Sequence, residues 1–93
     1  MRTIHKFEVQ VNNETQEFKI PSGGRFLSVE YIIPKRILFI WFEVPADMTA
    51  DKELRKFRVF KTGDGIPLHF QYLGTSIDQY LPESYHLYEL LEG

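Results

Sequence analysis

The stretch RVFKTGDGIP, Arg58 to Pro67, is the part of the chain that most resembles a chemical site. Glycines at 63 and 65 let backbone N–H groups converge on an anion, and Arg58 or Lys61 would add positive charge beside them. An anion site here would use Arg58, Lys61, Thr62, Gly63 and Gly65. A phosphate loop of the common nucleotide-binding kind, however, ends in Gly-Lys-Ser/Thr and opens a helix. Here Ile66-Pro67 follows. The stretch therefore reads first as a hairpin turn between two strands, centred on Asp64-Gly65, and only second as a ligand site.

Other chemistry-bearing residues are scattered. His5, His69 and His86 fall on three different expected strands, and their spacing does not predict the convergence that a metal needs. Asp47 and Asp51 share one loop, while Glu89 and Glu92 sit near the C-terminal end, where acids are expected to be solvated. Ser28 lacks a nucleophile-elbow context. No catalytic residue, metal site or cofactor is expected. Phe57 and Phe60 interleave with Lys56, Arg58 and Lys61, and sheet faces of this kind stack bases. Alternation turns Phe57 inward and leaves Phe60 as the one outward ring of that strand. One ring with two or three cations suits a nucleotide of one or two bases, not a long strand.

Charge agrees with that limit. The net charge is −2, whereas a general nucleic-acid binder carries a clear positive excess. All 11 Lys and Arg precede residue 62, and the last third carries only acids. Lys52, Arg55, Lys56, Arg58 and Lys61 form the densest basic run. With no cysteine, disulfides and thiolate chemistry are excluded. The opening MRTIHKFEVQV has no apolar core of a secretory signal, and no run reaches the roughly 18 apolar residues of a membrane helix.

These residues must be positioned by strands. Ninety-three residues, 43% of them hydrophobic and 15% aromatic, are read as one packed domain, 1–93. Thr3–Val11 alternates with His5, Phe7, Val9 and Val11 on one side, and Gln16–Ile20 follows after a polar turn. These two strands are expected to form a hairpin. Arg25–Ile33 presents Leu27, Val29, Tyr31 and Ile33 on one face. Arg36–Val44 is apolar on both faces, as a covered central strand would be. Ile37, Phe39 and Trp41 face one way, and Leu38, Ile40, Phe42 and Val44 the other. Pro45–Glu53 reads as a loop, with a helical turn around Asp51–Leu54. Lys56–Thr62, Phe70–Ile77 and Tyr85–Leu91 complete the set, with a bulge expected at Gly74. The expected fold is all-β: a small antiparallel sandwich or partly open barrel of six to seven short strands, with little or no helix. If Phe39 and Trp41 lack cover within the monomer, they mark an interface. Tyr85 and His86 are expected at an edge or partner contact, and a homodimer or higher homo-oligomer is expected.

An ordered set of segments carries a resemblance. IHKFEV, FKIPSG, FLSVE, IWFEV, FRVFKTG, YLGT and YHLYE span nearly the whole chain. In that order they resemble a family of short uncharacterised proteins encoded by tailed bacteriophages and prophages. That family usually has Gly-Thr-Gly where this chain has Lys61-Thr62-Gly63, and often His where this chain has Asp64. The resemblance implies a phage origin, a compact β-rich domain and the cytoplasm of a bacterial host, and it supplies no catalytic residues. The expected function is that of a non-enzymatic accessory protein that counters a host function by binding, by sequestering a small nucleotide defence signal. Direct inhibition of a host protein and a structural or assembly role in the virion are the alternatives. The partners expected are a second copy, a host protein or a small nucleotide, and neither a membrane nor a long nucleic acid.

Overall fold

The computed structural model describes residues 1–91. Seven strands form: β1 (Arg2–Gln10), β2 (Gln16–Pro21), β3 (Arg25–Ile32), β4 (Ile37–Pro45), β5 (Lys52–Lys61), β6 (Phe70–Asp78) and β7 (Glu83–Leu90). They pair antiparallel into a three-stranded sheet, β1-β4-β3, and a four-stranded sheet, β2-β5-β7-β6. The two sheets make a sandwich, and no helix occurs among the described residues.

Alternation decides which side of each strand meets the other sheet. In β4, Leu38, Ile40, Phe42 and Val44 are excluded from water. They share a core with Val9, Ile20, Phe57, Val59, Tyr85 and Leu87. Ring pairs cross this core edge to face, with Phe42 at 5.7 Å from Phe57 and 6.0 Å from Phe7. Burial of each such side chain stabilises the fold by about 1.5–3 kcal/mol.

The β1–β2 hairpin does not form. β1 pairs with β4 and β2 with β5. Val9 and Ile20 are both fully buried, and placing the two strands in opposite layers lets both enter one core. Gln16 secures this corner. Its side-chain oxygen accepts from the Gln10 N–H at 2.7 Å, and its amide donates to the Gln10 carbonyl at 2.9 Å.

Three further expectations change. A bulge between Phe26 and Ser28 reverses the phase of β3. Phe26 rather than Leu27 therefore packs on the core, with Val29 and Tyr31. The segment around Asp51–Leu54 is strand, not helical turn, because β5 begins at Lys52 opposite Pro21. The loop before it closes with the Asp47 carboxylate accepting from the Thr49 N–H and hydroxyl. Tyr85 is a core residue, 4% exposed, its ring stacked on Tyr31 at 4.7 Å. A partner cannot reach it. The bulge expected near Gly74 is present, between Tyr72 and Gly74. A Cβ at Gly74 would lie 3.0 Å from Val29 Cγ1, so the bulge lets β6 approach β3 closely.

The last correction concerns Glu89, which is buried rather than solvated, while Glu92 lies outside the described residues. Arg55 and Glu89 both point inward on neighbouring strands. Arg55 Nε and Nη2 donate to the two Glu89 carboxylate oxygens at 2.6 and 2.8 Å, and Nη1 donates to the Gly24 carbonyl at 2.6 Å. The guanidinium also lies over the Phe42 ring, 4.9 Å from its centre. Bidentate geometry with a third acceptor satisfies much of a cation that burial would otherwise penalise. Glu89→Ala leaves this guanidinium without its carboxylate, and the expected loss is about 3 kcal/mol. Urea unfolding of the variant beside the parent measures it.

Candidate binding site

Arg58 and Lys61, paired in the sequence reading, sit on opposite faces of β5. Arg58 is opposite Tyr88, on the outer side of the four-stranded sheet. Lys61 is opposite the inward Tyr85, and its ammonium lies 3.9 Å from Glu83. No compact ligand spans both. The basic run is divided in the same way, with Arg55 inside the sandwich and Lys56 within 3.8 Å of Glu17 on the outer side.

The glycine loop is also committed. The Asp64 N–H donates to the Lys61 carbonyl at 3.0 Å, so Thr62 and Gly63, not Asp64-Gly65, occupy the turn centre. Gly63 has φ +98°, while Gly65 does not have a positive φ. The Asp64 carboxylate accepts from the Lys61 N–H at 2.8 Å. An anion approaching this donor meets a carboxylate of the chain itself. Beside the turn lies a shallow depression of ≈ 290 Å³, lined in part by Asn12, Lys61 and Asp64.

Nor is the loop a hairpin. β5 and β6 flank β7 and run antiparallel to it, so they are parallel to each other. Residues 62–69 must return from the Lys61–Tyr85 end of the sheet to the Phe70–Leu90 end, about 17 Å at a strand's rise per residue. The inner side is filled by the other sheet, so the chain crosses on the outer side. Two contacts mark the crossing. Thr62 Oγ1 bonds to His86 Nε2 at 2.9 Å, and the Leu91 N–H donates to the His69 carbonyl at 2.7 Å.

On the same outer side a second, smaller cluster forms. Phe60 points outward as expected but is only 1% exposed. Its ring centre is 5.3 Å from Phe70 and 5.2 Å from Tyr88, both edge to face. The Arg58 guanidinium covers the Phe60 ring at 4.5 Å, and its Nε is buried with no hydrogen-bond partner among the described residues. Tyr72 lies 5.5 Å from Tyr88 and is 52% exposed, leaving a ring open to solvent at the cluster's rim. His86 is held at both nitrogens, by Thr62 and by Thr75 Oγ1 at 2.9 Å, and Thr75 is bonded at 2.6 Å to the Tyr72 hydroxyl. This chain of four groups fixes the imidazole and the Tyr72 ring relative to Arg58.

The structure thus brings Arg58, Thr62 and His86 to one face and sends Lys61 and Tyr85 to the interior side. Tyr72, Thr75, Tyr88 and Phe70 complete that face and were not singled out in the sequence. The bulge in β6 hides the alternation that places Tyr72 and Thr75 on the same side. Phe39 and Trp41 lie on the outer side of the other sheet, ring centres 6.1 Å apart and half-buried, with the Lys6 ammonium 4.1 Å over Phe39. His5 is on that same sheet, so it does not converge with His86.

A family model described as a domain of unknown function, DUF7352, matches residues 1–93. The chain belongs to the DUF7352 family. No curated protein and no solved structure matches it. In this DUF7352 domain the sheet geometry is therefore the main guide to the site.

The turn itself is testable. A Cβ at Gly63 meets no atom within 4 Å, so Gly63→Ala is penalised through the backbone alone. The expected loss is about 1–2 kcal/mol, read as a lowered urea midpoint with an unchanged slope.

Proposed function

We propose that this protein is a non-enzymatic binding protein of bacteriophage origin, acting in the cytoplasm of a bacterial host. Its ligand is a small nucleotide, sequestered on the outer face of the four-stranded sheet. One observation carries this reading: the buried Nε of Arg58 has no acceptor among the described residues, on a guanidinium already stacked on Phe60. A buried donor left unpaired costs about 1–3 kcal/mol, and a turn of the guanidinium off the Phe60 ring that opens Nε to a phosphate oxygen would relieve that cost. The half-exposed Tyr72 ring beside it offers a base the stacking surface that nucleotide-binding sheets use. His86 and the two threonines present fixed polar groups between them. The phage origin rests on the resemblance of the ordered segments described above.

A second reading has its own observation. Phe39 and Trp41 remain half-exposed on the opposite face, ringed by Lys6, Glu8 and Glu30. An aromatic pair within a charged rim fits direct binding of a host protein.

Thermal melting with a panel of cyclic dinucleotides, cyclic mononucleotides, ATP and ADP, each at about 1 mM, separates the two. A ligand at 100 times its Kd adds about 2.7 kcal/mol, which raises Tm by about 10 °C or more in a domain of this size. Arg58→Ala is expected to lose the ligand-induced rise whatever its own Tm. No rise with any member of the panel would overturn the nucleotide reading and leave the Phe39–Trp41 face as the binding surface.

A further inference from the structure

The sandwich has one long uncovered edge, and its sequence matches itself. β1 pairs with β4 over nine consecutive residues without a bulge, and among the described residues no strand lies on its other side. Hydrogen bonds fix which groups point there. The Gln10 N–H and carbonyl face away from β4, since both bond to Gln16. The Met1 carbonyl faces the other way, accepting from Ala46. Backbone direction alternates along an antiparallel strand. Arg2, Ile4, Lys6 and Glu8 therefore present their N–H and carbonyl groups to the open side, while Thr3, His5, Phe7 and Val9 bond to β4.

Such an edge is a template for another strand, and proteins usually blunt it with proline, a bulge or a covering loop. β1 carries none of the first two, and Gln16 covers it only at Gln10. The other edges differ. β3 is closed against β6, where Ser76 Oγ accepts from the Tyr31 N–H at 2.7 Å. β2 is six residues long and ends in Pro21.

We propose that the open edge of β1 pairs antiparallel with β1 of a second copy, joining the two three-stranded sheets into one sheet of six. The register is set by the free groups and the charges. Pairing about a two-fold axis at His5 sets Arg2 opposite the partner's Glu8, Ile4 opposite the partner's Lys6, and His5 opposite the partner's His5. Each charge pair then occurs twice, and every outward group of residues 2, 4, 6 and 8 finds its partner. Moving the axis to Lys6 opposes two lysines and requires Gln10, already bonded to Gln16. Moving it to Phe7 also requires Gln10. His5 faces its copy as a non-hydrogen-bonded pair, with Cα atoms about 4.5 Å apart. This surface is separate from the Arg58 face, so the inference does not rest on the nucleotide reading.

Two measurements test it on the full chain. Sedimentation from about 1 to 500 μM should show a reversible monomer–dimer equilibrium, since one strand pair buries less than a standard stable interface. Arg2→Glu and Glu8→Arg, each placing like charges opposite one another twice, should weaken dimerisation about tenfold. The double variant Arg2→Glu/Glu8→Arg should restore it in large part, short of what each copy loses with its own Arg2–Glu43 and Glu8–Lys35 pairs. The second measurement uses a chain with no cysteine of its own. Under oxidation His5→Cys should form a covalent dimer, because its Cα separation suits a disulfide, while Thr3→Cys, facing Phe7 of the partner subunit, should not. A monomer at every concentration, a dimer indifferent to the charge exchange, or equal cross-linking of the two cysteine variants would overturn the proposal.

Discussion

The inner side of β4 is the surface on which the other strands are set. Leu38, Ile40, Phe42 and Val44 are fully removed from water, and a one-residue slip of any neighbour would turn its apolar side away from them. β1 and β3 hold their register to β4 by hydrogen bonds, and β2, β5 and β7 reach the same surface from the opposite layer. Even a buried ion pair depends on it. Arg55 is inward because its strand neighbours Phe57 and Val59 must be inward, and its cation survives there by lying over Phe42 and engaging both oxygens of Glu89.

Alternation made the strands and most of their inner faces legible. Val9, Ile20, the inner face of β4, Phe57, Val59 and Leu87 stand where a period of two puts them. One bulge defeated the pattern, at Leu27, because one extra residue inverts every side chain beyond it, whereas Gly74 announced the other. Pairing was less legible than strand position. Nothing in Asn12-Asn13-Glu14 distinguishes a turn within one sheet from a passage between two. The β5–β6 connection misled for the same reason. Thr62-Gly63 makes a tight turn in either case, and only the position of β7 decides whether the chain doubles back beside β5 or crosses over the sheet.

The candidate site was legible only in part. Arg58 and Thr62 were singled out together for an anion site and His86 separately for an interface; the β5–β7 register and the Thr62–His86 bond bring the three to one face. Lys61 was misplaced because proximity in sequence puts consecutive odd and even strand residues on opposite sides. Burial of the outward Phe60 could not be read from alternation at all. It depends on Phe70, Tyr88 and the Arg58 guanidinium closing around its ring.

The order of strands also bears on how the chain acquires this shape. β1 has its partner in β4 and β2 in β5, so neither can pair until much of the sequence exists. During synthesis, IHKFEV and FKIPSG emerge as unpaired extended segments and wait for partners some thirty residues behind them, and β5 waits in turn for β7. Non-local pairing of this kind folds in roughly milliseconds to seconds. At translation rates of about 5–20 residues per second, the first strand is therefore complete for several seconds before β4 can shelter it. The charges at Lys6, Glu8, Glu17 and Lys19 interrupt the apolar residues of those waiting segments, the placement by which charges oppose aggregation of unpaired strands before the fold exists.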